Sequence, residues 1–295
     1  MLLRCLLLLL ASSAYAKPQL TWLQTDWPPH QIVDGPFQSQ GTFDLLQHQI
    51  MAALPQFSHQ TRLVSLARLE QIFQQPEAAS CALGTLYSEE RAQTRLFSVP
   101  MAVGPALAVG YLADKLSAHP AMHEDGVDIR MLALDKTITG VFQPNRLYPD
   151  VITPLLQHPD SNLSSHAFTS EINAAGLLAG NRVDYVVEYP ERMQYYNQLL
   201  PEAAVLEHRA IAGANVATVS YITCSKDSVG QAAIEAIDQV LPVLWQSTDY
   251  LQAMQRWLDN NARRRLGTDI SKQQQEAAKL MQLKPRPHDT VNAGH

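Results

Sequence analysis

Arg91 closes the run Ser88-Glu89-Glu90-Arg91, just after a turn at Gly84-Thr85. A guanidinium is a rigid planar fork of donors that matches a carboxylate or a similar anion. The alternative occupant of that fork is an acid of the protein itself: Glu89, Glu90 or another. Gly84 and Thr85 would present a backbone amide and a hydroxyl beside it. No Ser-His-Asp set, H-E-x-x-H or G-x-S-x-G is visible to supply a nucleophile or a catalytic metal. The chemistry on offer is recognition of a small polar group.

The elements that would position these groups alternate between strand and helix. Leu20 to Leu23 reads as a short strand that ends at Asp26-Trp27-Pro28-Pro29-His30, where two prolines forbid both helix and ladder. Phe43, Leu46, Ile50 and Leu54 recur at helical spacing behind Thr42. Thr61–Leu66 predicts a strand, and Ala67-Arg68 opens a helix that runs to about Gln75. Ala82-Leu83 ends a buried strand, and Ser88 caps the helical turn that carries Arg91. Pro105 to Leu112 predicts one continuous apolar strand, followed by a polar loop from His119 to Gly126. Alternation then restarts: a strand over Thr137–Phe142, a turn at Pro144-Asn145-Arg146 and a helix over Leu147–Gln157. Next come a strand over Ser164–Phe168, a helix over Ser170–Ala179 capped by Ser170, and a strand over Arg182–Val187. Ala204–Ala212 and Ala217–Cys224 predict two more strands. Amphipathic helices follow over Ser228–Trp245, broken or kinked at Pro242, and over Thr248–Leu266. The fold class is α/β. From Gly267 the apolar face disappears, which predicts a flexible tail over 267–295.

Composition sets the compartment and narrows the partners. The first residues, MLLRCLLLLLASSAYA, carry one positive charge, an apolar core and an Ala-Tyr-Ala end, which predicts a secretory signal peptide over 1–16. That predicts an exported mature chain, with the periplasm as its expected location. A net charge of −6 with no basic stripe makes nucleic acid a poor partner. With 46% apolar and 17% charged residues the chain should be globular. Outside the leader, Cys81 and Cys224 remain, and an oxidising compartment favours a disulfide over two buried thiols. No His stands near them at zinc spacing, so no metal is expected, and no cofactor either.

Two motifs carry a resemblance. Ser88-Glu89-Glu90-Arg91 followed by Phe97-Ser98-Val99-Pro100 is similar to the T-x-x-R…F-S-x-P signature of family 3 periplasmic solute-binding proteins. Gly180-Asn181-Arg182-Val183-Asp184-Tyr185-Val186-Val187-Glu188 resembles that family's G-x-[VA]-D-A-[VA] segment and the acid that follows it. The likeness extends loosely over residues 18–262. It is nearest to a divergent group with W-P-P, a Cys before the turn and C-S-K after the return strand: Trp27-Pro28-Pro29, Cys81 and Cys224-Ser225-Lys226 here.

The resemblance implies a two-lobed periplasmic binding protein type 2 fold with two hinge crossovers. One lobe would comprise residues 17–108 with 217–266, the other 109–216. It implies that Arg91 points into the cleft between them and holds a ligand carboxylate. Asp26 and Trp27 would reach the ligand from the first proline loop, with Trp27 as a flat wall. Arg68, Gly84 and Thr85 would border the cleft from the first lobe, and Asn145, Arg146 and Tyr148 from a helix start in the second. Glu188 would meet a ligand amine. It lies four residues after Asp184, where the family spaces the acid at five, and Tyr189 takes that position. Leu86 also replaces an expected hydroxyl. Both departures point away from a standard α-amino acid. The resembling fold makes the strands bearing Cys81 and Cys224 antiparallel neighbours, so the two would bond.

The implied function is capture of a small polar, carboxylate- or amine-bearing ligand for transport or sensing by a monomer. The partners are that ligand and a membrane permease or sensor protein. An enzyme of the same fold, like the cyclohexadienyl dehydratases, is the rival. It would use Glu188 as acid or base if burial raised its pKa.

Overall fold

The computed structural model describes residues 16–76, 78–144, 146–169, 172–215 and 217–258, with Arg263, Leu266 and Gln275. Nearly all of the predicted leader and the tail, and the proposed cap Ser170, lie outside the described residues.

The chain builds two sheets and passes between them twice. The first half-circuit runs β1 (Gln19–Gln24), α1 (Thr42–Ala53), β2 (Ser58–Leu63), α2 (Leu66–Gln74), β3 (Ser80–Thr85), α3 (Glu89–Thr94) and β4 (Arg95–Pro105). The chain then crosses to β5 (Ala108–Leu112), α4 (Ala113–Leu116), a small hairpin of β6 (Met122–His123) and β7 (Gly126–Val127), α5 (Ile129–Leu134) and β8 (Gly140–Phe142). β9 (Leu163–Ser165), α6 (Ala174–Ala179), β10 (Tyr185–Glu188), α7 (Pro190–Gln198) and β11 (Leu206–Ala210) complete the second lobe. β12 (Ala217–Ser225) returns to the first sheet, and α8 (Ser228–Leu244) and α9 (Thr248–Gln255) cover it. The sheet orders are β2-β1-β3-β12-β4 and β11-β5-β10-β8-β9, each five-stranded. This is the two-lobed α/β fold with two crossovers that the sequence predicts.

Caps and apolar spacing explain most of these elements. Phe43, Leu46 and Ile50 are buried on α1. The Asp44 carboxylate accepts from the backbone N–H of Gly41 and Ile32 and from Gln24, which ties the helix start to the end of β1. Ser65 caps α2 and Ser88 caps α3, each hydroxyl accepting from the N–H three residues on. α1, α8 and α9 pack their buried faces on the first sheet around Trp22, Met101 and Ile222. A separate core around Tyr111, Leu132 and Tyr185 fills the second lobe.

Several expectations are corrected. Pro105–Leu112 is not one strand. β4 ends at Pro105, β5 begins at Ala108, and the intervening Ala106-Leu107 is the first crossover. The predicted helix over Leu147–Gln157 is reduced to a 3-10 turn at Thr153–Leu155, because Pro149 and Pro154 deny the segment two donors and restrict the residues before them. α6 starts at Ala174, where the Asn173 side chain accepts from the Gly176 N–H, so Asn173 caps it and not Ser170. The second strand spans Ser58–Leu63, three residues earlier than predicted.

Cys81 and Cys224 face each other directly in the β3–β12 ladder and are joined by a disulfide. The bond lies near the start of β3, at the far end from Gly84-Thr85.

Candidate functional site

A cavity of about 550 Å³ opens between the lobes, at the carboxyl ends of the strands. Ligands of open α/β sheets sit at such ends, and the volume suits a small molecule. The first lobe contributes Asp26 and Trp27 after β1, Leu63 to Leu66 after β2, Leu69 and Glu70 from α2, and Leu83 to Leu86 with Arg91 around the end of β3. The second lobe contributes Gln143, Arg146 and Leu147 after β8, then Phe168, Tyr189 and Arg192.

Trp27 is a wall of the cavity that touches both lobes. Its ring meets Phe43 edge-on at 5.9 Å in its own lobe and Tyr189 at 6.3 Å in the other. Gly84 makes that packing possible. It holds φ +82°, and a Cβ on it would stand 2.4 Å from the Phe43 ring and 3.1 Å from the Trp27 ring. Only glycine takes that backbone conformation without steric cost. Thr85 is buried and shares a hydrogen bond of 2.9 Å with the Thr223 hydroxyl across the ladder.

Arg91 lines the cavity, and its fork is already in use. One guanidinium nitrogen donates to the Leu86 carbonyl at 3.2 Å and the other to Glu70 Oε1 at 3.0 Å. The second Glu70 oxygen accepts from Arg95, which is buried with its guanidinium 4.3 Å from the centre of the Phe73 ring. Burial pulls the Arg95 pKa down, and Glu70 opposes that pull. Of the partners open in the sequence, the acid is neither Glu89 nor Glu90 but Glu70, on the preceding helix.

The second lobe holds a matching cluster. Glu188 is 1% exposed and lies behind the cavity wall. One of its oxygens accepts from Arg146 at 2.6 Å and from the Tyr189 N–H at 2.8 Å. The other accepts from Arg146 and Arg192, each at 3.2 Å. Burial alone would push the Glu188 pKa up, but the two guanidiniums prevail and hold it below the ordinary 4.5. Burial likewise pulls the Arg146 pKa down, and Glu188 more than reverses it. A carboxylate that is ionised and fully engaged in this way is poorly placed to act as an acid or base. The enzyme reading loses its candidate residue.

The remaining expected site residues fall in different places. Tyr189 lines the cavity below the Arg146 guanidinium, 5.5 Å from it, and burial pushes its pKa up to about 12. Asp26 stands exposed at the cavity edge, yet the walls around its carboxyl and the neighbouring Asp34 push its pKa up. Tyr148 stays behind the wall, its hydroxyl donating to the Gln143 carbonyl at 2.7 Å. Arg68 lies on α2 beside Gln71 and does not line the cavity. Asn145 lies outside the described residues. Asp184 is structural, accepting from the Thr139 N–H and hydroxyl. Sequence reasoning missed Glu70, Gln143, Phe168 and Arg192. Glu70 and Arg91 are 21 residues apart, and no local spacing signals that pairing.

The lobes also meet beside the cavity, through α7. Arg192 donates to the Pro28 carbonyl at 2.5 Å, and Glu191 faces His30 at 3.4 Å. Next to them Phe37, Tyr195 and Trp257 stack edge-on at 5.1–6.2 Å around the buried Ile32. His30 Nδ1, Gln31 Nε2 and Glu191 Oε2 are buried in this seam with no hydrogen-bond partner among the described residues. Nor does any group of three or more His, Cys, Asp or Glu among the described residues stand ready to hold a metal.

No family model matches the chain, and no curated protein is similar to it in sequence. Solved structures are similar in shape. A histidine kinase sensor domain with similarity to periplasmic binding proteins matches 82% of this chain and 96% of its own, with 15% identity and a TM-score of 0.61. An ancestral arginine-binding protein bound to arginine matches over 83% and 100%, with 16% identity and a TM-score of 0.60. An arginine-specific periplasmic binding protein of Salmonella typhimurium matches over 82% and 100%, with 18% identity and a TM-score of 0.58. At these identities the likeness is one of fold: the chain has the two-lobed architecture of the periplasmic binding proteins.

Proposed function

We propose that this protein is an exported solute-binding protein that takes a small molecule into the cleft between its lobes, for transport or sensing. The observation that carries the reading is the 550 Å³ cavity at the strand ends of both lobes, bordered by Asp26, Trp27, Gly84, Thr85, Arg91, Arg146 and Tyr189. We divide the lobes at the crossover Ala106-Leu107, just before the expected boundary at 108/109, and at 216/217. The leader-like N-terminus supports a periplasmic address, and among the described residues no helix is long and apolar enough to cross a membrane. A permease or a membrane sensor would read the lobe arrangement. The similar structures include both a sensor domain and transporter-associated binding proteins, which supports either partner.

The reading is tested by thermal shift on the mature protein against amino acids, small carboxylates, polyamines, muropeptides and neutral amides. A ligand at a hundred times its Kd adds about 2.7 kcal/mol of stability, and a hit should vanish in Trp27→Ala if it binds in the cleft. A hit that survives Trp27→Ala would move the site elsewhere.

A further inference from the structure

Taking the cleft as the binding site, we infer that its ligand is a predominantly apolar molecule without an ammonium group, and that free amino acids are rejected. An amino acid brings a carboxylate and an ammonium, and burying either requires a counter-charge or a full set of hydrogen bonds. The two groups that would meet them from the cavity wall are already engaged within the protein. Two of the five Arg91 N–H donors go to Glu70 and the Leu86 carbonyl, Glu70 neutralises the Arg91 charge, and Glu70 is pinned from behind by the buried Arg95. In effect the Glu70 carboxylate stands where a ligand carboxylate would go. For an ammonium, the acid of the second lobe is Glu188. A carboxylate has about four acceptor sites, and four donors already fill them: two from Arg146, one from Arg192 and the Tyr189 N–H.

The charges reinforce the exclusion of cations. Each cluster sets two guanidiniums against one carboxylate: Arg91 and Arg95 on Glu70, Arg146 and Arg192 on Glu188. Each therefore keeps a residual positive charge at its wall, and Asp26 at the edge is the remaining carboxylate that lines the cavity.

Much of the remaining wall is apolar. Leu63 at the end of β2 is 57% exposed and Leu147 in the opposite lobe is 37% exposed, and both line the cavity. With Leu66, Leu86, Phe168 and Trp27 they form surfaces that gain free energy when a ligand displaces water from them.

Matched probes test this: N-acetyl-L-phenylalaninamide and N-acetyl-L-leucinamide against L-phenylalanine, L-leucine and L-arginine, titrated calorimetrically into the mature wild-type protein. The inference expects at least one neutral amide to bind tenfold or more tighter than its free amino acid. Leu147→Asp changes an exposed side chain and should leave the melting temperature in place while weakening the amide at least tenfold. Glu70→Gln should release the Arg91 fork and raise affinity for the free amino acids at least tenfold. Because that variant can lose stability by leaving Arg95 short of a partner, the Leu147→Asp result stands independently of it. Tighter binding of a free amino acid by wild type, abolished by Trp27→Ala, would overturn the inference and leave the cleft reading intact. Binding of neither class would overturn both.

Discussion

Glu188 shows how a residue's type and its role separate. It was expected to face a ligand as a bare acid, and it serves as the hub of a buried ion cluster instead. Its pKa is held below 4.5 in the folded protein, so on acidification the unfolded chain takes up that proton first. The stabilisation it contributes is complete above about pH 4.5, shrinks as pH falls below that value, and is lost once the folded pKa is passed. Glu188→Gln should cost about 3–5 kcal/mol at pH 7, because two buried guanidiniums lose their counter-charge. In urea unfolding the gap between wild type and variant should narrow at pH 3.5. A gap that is constant with pH would show that Glu188 does not titrate against its arginines. Gly84 is the other decisive residue. Gly84→Ala drives a methyl into Phe43 and imposes a left-handed backbone on alanine. It should cost roughly 2–4 kcal/mol, from overpacking and backbone strain together, and shift the tryptophan emission as Trp27 is displaced. The placement of Arg91 beside the glycine turn at the end of β3 was legible because both stand in one short stretch. Glu70 was not, since its meaning comes only from the packing of α2 beside α3.

At the scale of elements, legibility followed apolar periodicity. α1, α2 and α8 announce themselves by spaced apolar residues, with Ser65 and Asp227 capping the latter two, and they form close to where the sequence predicts them. α7 gave no such signal, although Pro190 at its first position and Glu191 in its first turn are both start residues. Its buried set includes Glu191, Arg192, Asn197 and two tyrosines, so burial there is not hydrophobic in composition. It is buried between its own lobe, where Met193 packs with Leu178 and Val186, and the first lobe, which Arg192 reaches, and no local pattern encodes that. The lost helix after Leu147 is the converse case. Val151 and Leu155 suggested an apolar helical face, and Pro149 and Pro154 overruled them. The first crossover was hidden for a third reason: an apolar run reads as one strand whether or not it changes sheets.

At the scale of the whole molecule, the lobes meet along α7 as well as around the cavity. The seam along α7 combines aromatic packing with Arg192–Pro28 and His30–Glu191 contacts. It also buries polar atoms that gain no partner, and each would recover hydrogen bonds to water if the lobes parted. That offset makes the seam easier to open than its aromatic content suggests. Tyr195→Ala removes the ring shared by Phe37 and Trp257 and should shift the population toward an open form. Small-angle scattering reads this directly. A compact chain of this size has a radius of gyration of about 19 Å, and the variant should exceed wild type. Equal values would mean that the seam does not hold the lobes.

The bond between Cys81 and Cys224 spans 143 residues of chain and encloses every strand of the second sheet. The second lobe is thus an excursion from a covalent ring whose clasp lies in the first sheet. A protease that cuts one exposed loop of that lobe would not divide the molecule. The two fragments would remain a single species until a reductant opened the clasp, so a chain of this design survives a nick that would cost an unclasped chain one of its lobes.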